Sequence, residues 1–238
     1  MSEHDYVIVG GGSASCVLAR RLTEEQDAEV LLLEAGTPDD RRDIQIPAAW
    51  TELYKTEGDW ACHTAPQPEL YGRELYWPRG KTLGGSNAIN AQVAIRGHPR
   101  DYDHWAAQGN DGWSAAAVEP YFRKIESAEQ STKAETEDAA RGAWGRRGTG
   151  GPLHVGPAPT RNPLSEAFLT ACEERGIPRK EDLNAGRQEG VGFFELTQKN
   201  GGEWGWPTRR GGSCHRTSLA SHSHPITTDT SDLSVLTT

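Results

Sequence analysis

The sequence predicts an α/β fold that begins with two parallel strands joined by a helix. Two apolar runs, YVIVG and EVLLLEAG, have the continuous hydrophobic character of buried strands in a parallel sheet. The segment between them, SASCVLARRLTEE, has helical periodicity. Three apolar positions of that helix are predicted to face the sheet: Val17, Leu18 and Leu22. Residues 5–36 are therefore predicted to form a βαβ unit.

Composition limits the classes of protein to which the chain can belong. Its 238 residues can bury a core and predict one or two domains, although 27 Gly and a mean hydropathy of -0.70 indicate many loops. A formal charge of -9 argues against a nucleic-acid partner. The sequence has no apolar run of membrane-spanning length and no signal peptide, so we expect no membrane span and a cytoplasmic location. The four cysteines lack paired spacing and are expected to be reduced thiols.

Three glycines separate the first strand from the helix and predict a dinucleotide site. Gly10 is expected to make the tight turn, and Gly12 to let the backbone approach a pyrophosphate. The N–H groups at the helix start, from Ser13 onward, then stabilise negative charge. Ser15 stands where the G-x-G-x-x-G pattern has its third glycine, at the expected contact between helix and strand. The larger side chain is predicted to weaken binding without abolishing it.

An acidic residue at the end of the second strand supports the same prediction. Glu34 follows Ser15 by about 20 residues, where a carboxylate accepts hydrogen bonds from the adenosine ribose. Ala35 comes directly after it. The alternative is an ordinary strand-to-helix turn whose glycines only permit tight packing.

A second glycine turn follows a long irregular segment. Residues 37–78 carry scattered prolines and aromatic residues, and so long a connection is expected to cover a functional site. RGKTLGGSNAIN, residues 79–90, then predicts close backbone approach to a cofactor. The alternative for these glycines is a plain loop turn.

The remaining elements are predicted from periodicity and capping residues. Asp101 and Ser114 are expected to cap two short helices, and the charged, glycine-rich residues 127–151 are expected to form a mobile loop. Further predictions are a strand at GPLHV, a helix with Pro163 near its start and Gly176 at its end, and a strand at GVGFFELTQ.

Several of these segments together resemble the FAD-dependent glucose-methanol-choline oxidoreductases, particularly their choline-dehydrogenase-like alcohol dehydrogenases. The resemblance covers most of residues 5–203, and GRELYWPRGKTLGGS is its most specific part. Other matching segments are YVIVGGGSASCVLARRL, LLLEAG, GTGGPLHV, NPLSEAFLTACEERG and QEGVGFFELTQKNG. The resemblance implies an FAD-binding, Rossmann-like βαβ domain that is incomplete, followed by the start of an α+β substrate domain. We expect three regions: 1–155, 156–203 and an anomalous tail at 204–238.

The resemblance implies a flavin enzyme that removes hydride from the carbon of a small-molecule alcohol. By that analogy Gly10, Gly12 and Glu34 hold the ADP half of FAD, and Gly84, Gly85, Ser86 and Asn90 approach the flavin. The expected cofactor set also includes Ser13, Ser15, Ala35, Arg79 and Ala91.

Two positions depart from the family pattern beside the second turn. Asn87 is bulkier than the usual small hydroxyl residue and is expected to crowd the flavin. Some choline oxidases have, at the position of Ile89, a histidine bonded to FAD. Isoleucine has no nucleophile, so FAD is predicted to be noncovalent.

The family's catalytic histidine segment has no match in this sequence, and no catalytic residue is assigned. SHSHPITT around His224 lacks the following glycine and lies too early. The chain alone is therefore expected to be inactive. Residues from Gly205 to about Thr230 are interpreted as frame-shifted, and a metal site of Cys214, His215, His222 and His224 fits no established zinc spacing.

Two other classes of function remain open at this point. The first is a non-catalytic remnant or split-subunit fragment, completed by a separate C-terminal fragment. The second is a nicotinamide enzyme, since an acidic residue on a ribose does not distinguish NAD from FAD.

Overall fold

The computed structural model describes residues 4–25, 28–129, 144–185, 188–199 and 202–203. Its α-helices are α1 (Ser13–Glu25), α2 (Pro99–Ala107), α3 (Ala115–Ile125) and α4 (Pro163–Glu174). Its first five strands are β1 (Tyr6–Val9), β2 (Val30–Leu33), β3 (Cys62–His63), β4 (Tyr76–Trp77) and β5 (Val93–Ala94). The later strands are β6 (Glu126–Ala128), β7 (Leu153–Pro157), β8 (Glu195–Leu196), β9 (Gln198–Lys199) and β10 (Gly202–Glu203). Short 3-10 helices cover Pro47–Leu53, Pro68–Leu70 and Gly85–Ala88.

The predicted βαβ unit is present, with β1 and β2 parallel and paired from Tyr6–Val30 to Val9–Leu33. The predicted burial of β1 is wrong, because Val7 is 57% and Val9 65% exposed. A parallel strand is buried when strands and helices cover both of its edges and faces. Among the described residues β1 pairs with β2 alone, so much of its apolar surface faces solvent.

The buried face of α1 also differs from the prediction. Leu18 is 55% exposed, and Val17 and Leu22 are half-buried. The residues that α1 buries are small: Cys16 and Ala19, the latter 0% exposed. Cys16 packs with Leu32 of β2. Small side chains let the helix approach the strands closely, so the larger apolar residues lie to the side of the contact.

The predicted loop at 37–78 contains short elements that pack against the second glycine turn. The β3 and β4 strands pair antiparallel within it. Ile44 and Leu53 form a buried cluster with Ala88 and Ile89, which end the turn. This segment therefore supports the turn from one side.

The helix caps correct one prediction and confirm another. The Ser114 hydroxyl accepts a hydrogen bond from the Ala117 N–H, as expected of an N-cap. Asp101 is not a cap, because α2 begins at Pro99 and is capped by His98. Asp101 instead accepts a hydrogen bond from the His98 N–H, completing a capping box.

A four-stranded mixed sheet, in the order β5-β8-β7-β6, follows the glycine turn in the chain. Strands β6 and β7 are parallel, and the other pairs are antiparallel. The strand predicted at GPLHV is β7, while GVGFFELTQ contributes only the short β8 and the first residue of β9. The domain division stays a prediction, with β7 running across its first boundary.

The helix predicted after Pro163 is α4, and Gly176 just beyond its end has a left-handed φ of 83°. The prediction of a mobile loop at 127–151 is wrong at both ends of that range. Ser127 and Ala128 belong to β6, and residues 144–151 pack beside the sheet, where Gly148 O accepts a hydrogen bond from Ala128 N. Residues 130–143 lie outside the described residues, as do the tail from 204 and its Cys214 and histidines.

Candidate functional site

The two glycine turns predicted from the sequence meet in the structure. Gly84 N–H donates a hydrogen bond to Gly11 O at 2.8 Å, and Gly12 and Gly84 form a parallel bridge. A Cβ added to Gly85 would lie 3.0 Å from the Gly12 Cα. The two turns can approach this closely because neither has side chains at the contact.

The first turn requires glycine for its backbone conformation. Gly10 has a φ of 89°, in the left-handed region, and its N–H donates to Leu33 O at 2.7 Å. Gly12 O accepts from Cys16 N, which begins the hydrogen-bonding of α1. The N–H groups in the first turn of an α-helix have no acceptor within the helix, so this end of α1 is suited to an anion.

Glu34 fastens the first turn to the end of β2. Its Oε2 accepts from Gly11 N at 2.5 Å, and its Oε1 accepts from Gly36 N at 2.8 Å. Each carboxylate oxygen can accept a second hydrogen bond, so hydroxyl donors from a ribose remain compatible with this arrangement. The carboxylate therefore lies at the turn where the sequence predicts it.

Three other residues of the predicted cofactor set lie around the first glycine turn. Ser13 is exposed at the first position of α1, and Ala35 is exposed beside Glu34. Ser15 is half-buried, and the tight helix contact involves Cys16, whose Sγ donates to Gly11 O at 3.4 Å. The weakening of binding by Ser15 stays a prediction.

The second turn presents small polar residues at the surface. Gly84 and Gly85 have left-handed φ values of 95° and 61°. Ser86 is exposed, and its Oγ accepts from Gly80 N at 3.1 Å. Asn90 is exposed, and its Oδ1 accepts from Gln92 N at 2.7 Å, with the half-buried Ala91 between them. The side chain of Ser86 thus closes its own turn.

Arg79 and Ile89 lie at opposite ends of this segment. The exposed Arg79 guanidinium donates to Pro78 O at 2.8 Å and stacks on Trp77, 5.2 Å from the ring centroid. Ile89 is buried among apolar side chains. Asn87 is half-buried between the turn and a neighbouring cavity.

A buried aspartate that the sequence did not indicate holds the start of the second turn. Asp59 accepts hydrogen bonds from the Tyr76 hydroxyl and from three backbone N–H groups, those of Lys55, Ala61 and Arg79. Burial acts to raise the pKa of Asp59, but these four donors outweigh it and hold the pKa below its ordinary value. Lys55 and Ala61 both have left-handed φ values, which these bonds stabilise.

Sequence reasoning also did not identify three residues that set the distance between the two glycine turns. A Cβ on Gly11 would lie 2.9 Å from Leu83 Cδ1, and one on Gly36 would overlap the Lys81 carbonyl. Thr82 is fully buried and donates to Thr37 O at 2.8 Å. The GGG run could have indicated Gly11, but the other two depend on contacts distant in sequence.

A cavity of about 250 Å³ lies beside the second turn, toward the mixed sheet. Asn87 and Asn90 line it at the turn, and Gln92 connects them to the strand residues. Its other walls come from β5, α3 and β7.

Comparison with known proteins identifies the family. A family model described as GMC oxidoreductase matches residues 4–209. The chain belongs to the GMC oxidoreductase family. Mitochondrial choline dehydrogenase of Mus musculus is 44% identical to this GMC oxidoreductase over 210 residues, which are 85% of the chain and 33% of that relative. Alcohol dehydrogenase [acceptor] of Pseudomonas putida is 43% identical over 202 residues, 84% of the chain and 35% of that relative.

Solved structures agree with this assignment. The GMC oxidoreductase chain is similar to pyridoxine 4-oxidase from Mesorbium loti, with a TM-score of 0.75, 37% identity and coverage of 87% of this chain and 40% of that one. A formate oxidase has a TM-score of 0.73 and 30% identity, with coverage of 86% and 36%. The chain thus spans about a third of the length of the curated relatives it matches.

The residues present fit a dinucleotide cofactor. The left-handed Gly10, the start of α1 and Glu34 lie together at the first turn, and the second turn contacts this turn through the backbone of Gly84. The described part of the chain holds no metal-ligating cluster of His, Cys, Asp and Glu. None of its helices combines the length and apolar character that crossing a membrane requires. The cytoplasmic location stays a prediction.

Proposed function

We propose that this GMC oxidoreductase chain binds FAD noncovalently and serves in the oxidation of an alcohol CH–OH group. The observation that carries the proposal is the direct contact between the two glycine turns, with Glu34 fastened to the first. Its relatives named choline dehydrogenase and alcohol dehydrogenase support alcohols as the substrate class.

The proposed binding site divides into two groups of residues. Those for the ADP half are Gly10, Gly12, Ser13, Ser15, Glu34 and Ala35. Those for the flavin half are Arg79, Gly84, Gly85, Ser86, Asn90 and Ala91. The start of α1 would stabilise the pyrophosphate charge, and the second turn would let the flavin ring approach the backbone. When bound, flavin supplies the acceptor for the hydride that leaves the alcohol carbon.

The proposal of noncovalent attachment is supported by Ile89. Its side chain has no nucleophile, and it is buried in the cluster with Ile44, Leu53 and Ala88. A side chain packed in an apolar core is not available to the flavin. A covalent bond to the flavin at this position is therefore not expected.

We also propose that the chain alone does not turn over alcohol at an enzymatic rate. No residue of the sequence is assigned as the acceptor of the hydroxyl proton. Positioned acid–base help contributes about 10²–10⁴-fold to such reactions.

A split-subunit role is the second candidate, because the exposed apolar surface of β1 favours a covering partner. A nicotinamide enzyme is disfavoured because that class has no need of a second glycine turn in contact with the first.

Titration of the purified chain with FAD tests the proposal. FAD should raise the melting temperature and lose fluorescence on binding, while NAD should leave the melting temperature unchanged. Glu34→Ala should weaken FAD binding, whereas Glu174→Ala, an exposed acidic residue at the end of α4, should not. No response of the wild-type chain to FAD, or equal stabilisation by NAD, would overturn the proposal.

A further inference from the structure

The cavity beside the second glycine turn has a buried polar group without a hydrogen-bond partner. Gln92 is 5% exposed and lines this cavity. Among the described residues, no group donates a hydrogen bond to its Oε1. Because an unsatisfied buried amide oxygen is unfavourable, such groups in proteins ordinarily bond to protein, water or ligand.

The backbone of Gln92 is held in an uncommon conformation. Its φ of 60° lies in the left-handed region, which residues other than glycine seldom occupy. Gln92 N–H donates to Asn90 Oδ1 at 2.7 Å, and Gln92 O accepts from Thr197 N at 2.9 Å. Bonds to the turn and to the residue after β8 thus fix the residue where the turn meets the sheet. Conformations of this kind concentrate at functional sites.

The rest of the cavity wall combines apolar surface, one ion pair and four other polar side chains: Asn87, Asn90, Asn184 and Thr197. Phe122, Leu153 and Val155 supply apolar surface. The two charged lining residues, Arg96 and Glu126, form an ion pair of 2.5 Å with each other. The wall therefore offers hydrophobic contact, neutral polar side chains and no unpaired charge from Arg96 or Glu126. Among the lining residues that the structure describes, Gln92 Oε1 is the buried polar atom that lacks a hydrogen-bond partner.

We propose that this cavity binds a small, uncharged alcohol whose hydroxyl is held by Gln92. A hydroxyl is suited to a carboxamide because it can donate to Oε1 and accept from Nε2. The last torsion of glutamine is soft, so either end of the carboxamide can turn toward the ligand. That this alcohol is the substrate rests on the proposed function, but its binding requires no flavin.

A quaternary ammonium such as choline is disfavoured by the same wall. Binding of such a cation uses a carboxylate or an open aromatic face. The Glu126 carboxylate already accepts from Arg96, Arg147 and Gly148 N. The Phe122 ring faces the Arg96 guanidinium, which lies 5.6 Å from its centroid. A second cation would therefore find neither a free carboxylate nor an open aromatic face in this wall.

The test is NMR titration of the flavin-free, ¹⁵N-labelled chain, observing the side-chain amide of Gln92. The probes are 1-butanol, its isomer methyl propyl ether, which has no hydrogen-bond donor, and choline. The expected result is saturable binding of 1-butanol, about fivefold weaker binding of the ether, and no shift with choline. No saturable shift with 1-butanol, equal affinity for the ether, or binding of choline as tight as that of 1-butanol overturns the proposal.

Variants provide an independent arm, measured by ligand-observed saturation transfer. Gln92→Leu should weaken 1-butanol about fivefold and abolish its advantage over the ether. Gln108→Leu, a matched change on the surface at the end of α2, should bind as wild type. Unchanged 1-butanol affinity in Gln92→Leu contradicts the proposal, and the isomer comparison in the wild-type chain decides the matter if that variant does not fold. Since FAD is absent throughout, failure of flavin binding and failure of this site are observed separately.

Discussion

Asp59 is a single residue that determines the shape of the second turn. Its carboxylate accepts hydrogen bonds from Arg79 N and from the left-handed residues Lys55 and Ala61. Asp59→Asn keeps the volume but removes the charge and leaves one oxygen acceptor. We expect the free energy of unfolding to fall by about 2 kcal/mol, since hydrogen bonds to charged groups contribute about 1.5–3 kcal/mol. Urea denaturation measures this, and the exposed Asp111→Asn is the control; equal stability of the two variants would contradict it.

The same residue predicts a pH dependence. Because the folded-state pKa of Asp59 is lowered, its stabilising contribution is present above its unfolded pKa of about 3.9 and is lost as pH falls toward the folded pKa. Urea denaturation of the wild-type chain should show decreasing stability below about pH 4. Asp59→Asn should have a flatter profile in that range. Parallel profiles for the two chains would show that Asp59 does not contribute to acid unfolding.

Gly36 determines how closely the chain after β2 approaches the start of the second glycine turn. A Cβ at this position would overlap the Lys81 backbone carbonyl, which cannot move as a flexible side chain can. Gly36→Ala should therefore lower the free energy of unfolding by about 1–3 kcal/mol and weaken FAD binding. Chemical denaturation and flavin fluorescence provide the two measurements. Gly150→Ala, where a Cβ meets nothing within 4 Å, is the control and should match wild type.

At the scale of elements, a buried ion network joins the strands of the mixed sheet. Arg147 donates to Glu126 at 2.9 Å, to Asp182 at 2.6 Å and to Glu195 at 2.7 Å. These carboxylates belong to β6, to the loop before β8 and to β8 itself. One guanidinium thus fixes three parts of the chain, which explains why residues 144–151 do not behave as the predicted loop.

Replacing Arg147 should lower the free energy of unfolding more than replacing the adjacent Arg146. Arg147→Ala leaves buried carboxylates without their partner, and we expect about 3–5 kcal/mol of destabilisation. The adjacent Arg146 has an exposed side chain, so Arg146→Ala should change stability by less than about 0.5 kcal/mol. Thermal and urea unfolding compare the two. Similar losses in both variants would show that the network contributes little.

At the scale of the molecule, β1 presents an apolar surface that other strands normally cover. Val7 and Val9 are exposed, and within the described part of the chain one edge of β1 has no neighbouring strand; such an edge promotes association between chains. We expect the chain to self-associate with increasing concentration, and Val7→Lys to shift it toward monomer. Light scattering after gel filtration measures this, with Leu164→Lys on α4 as an exposed apolar control. A monodisperse wild-type monomer at high concentration would contradict the expectation.

Local patterns predicted the first βαβ unit better than they predicted what surrounds it. The bounds of α1, the parallel pairing of β1 with β2, and the location of Glu34 follow from periodicity and spacing within about 30 residues. Asp59 has backbone partners, and backbone groups leave no signature in the sequence. Arg147 pairs with Glu195, which lies 48 positions away. Burial of β1 depends on neighbouring strands, and its own apolar sequence does not supply them.

The contact between the two turns also fixes an order of events during synthesis. Gly84 N–H meets Gly11 O across about 70 residues of chain. A ribosome adding roughly 5–20 residues per second needs on the order of 4–15 s to traverse that distance. During this time the nascent polypeptide contains the first turn and α1 but not yet the second glycine turn. A cofactor that needs both turns can be captured only after residue 84 has left the exit tunnel.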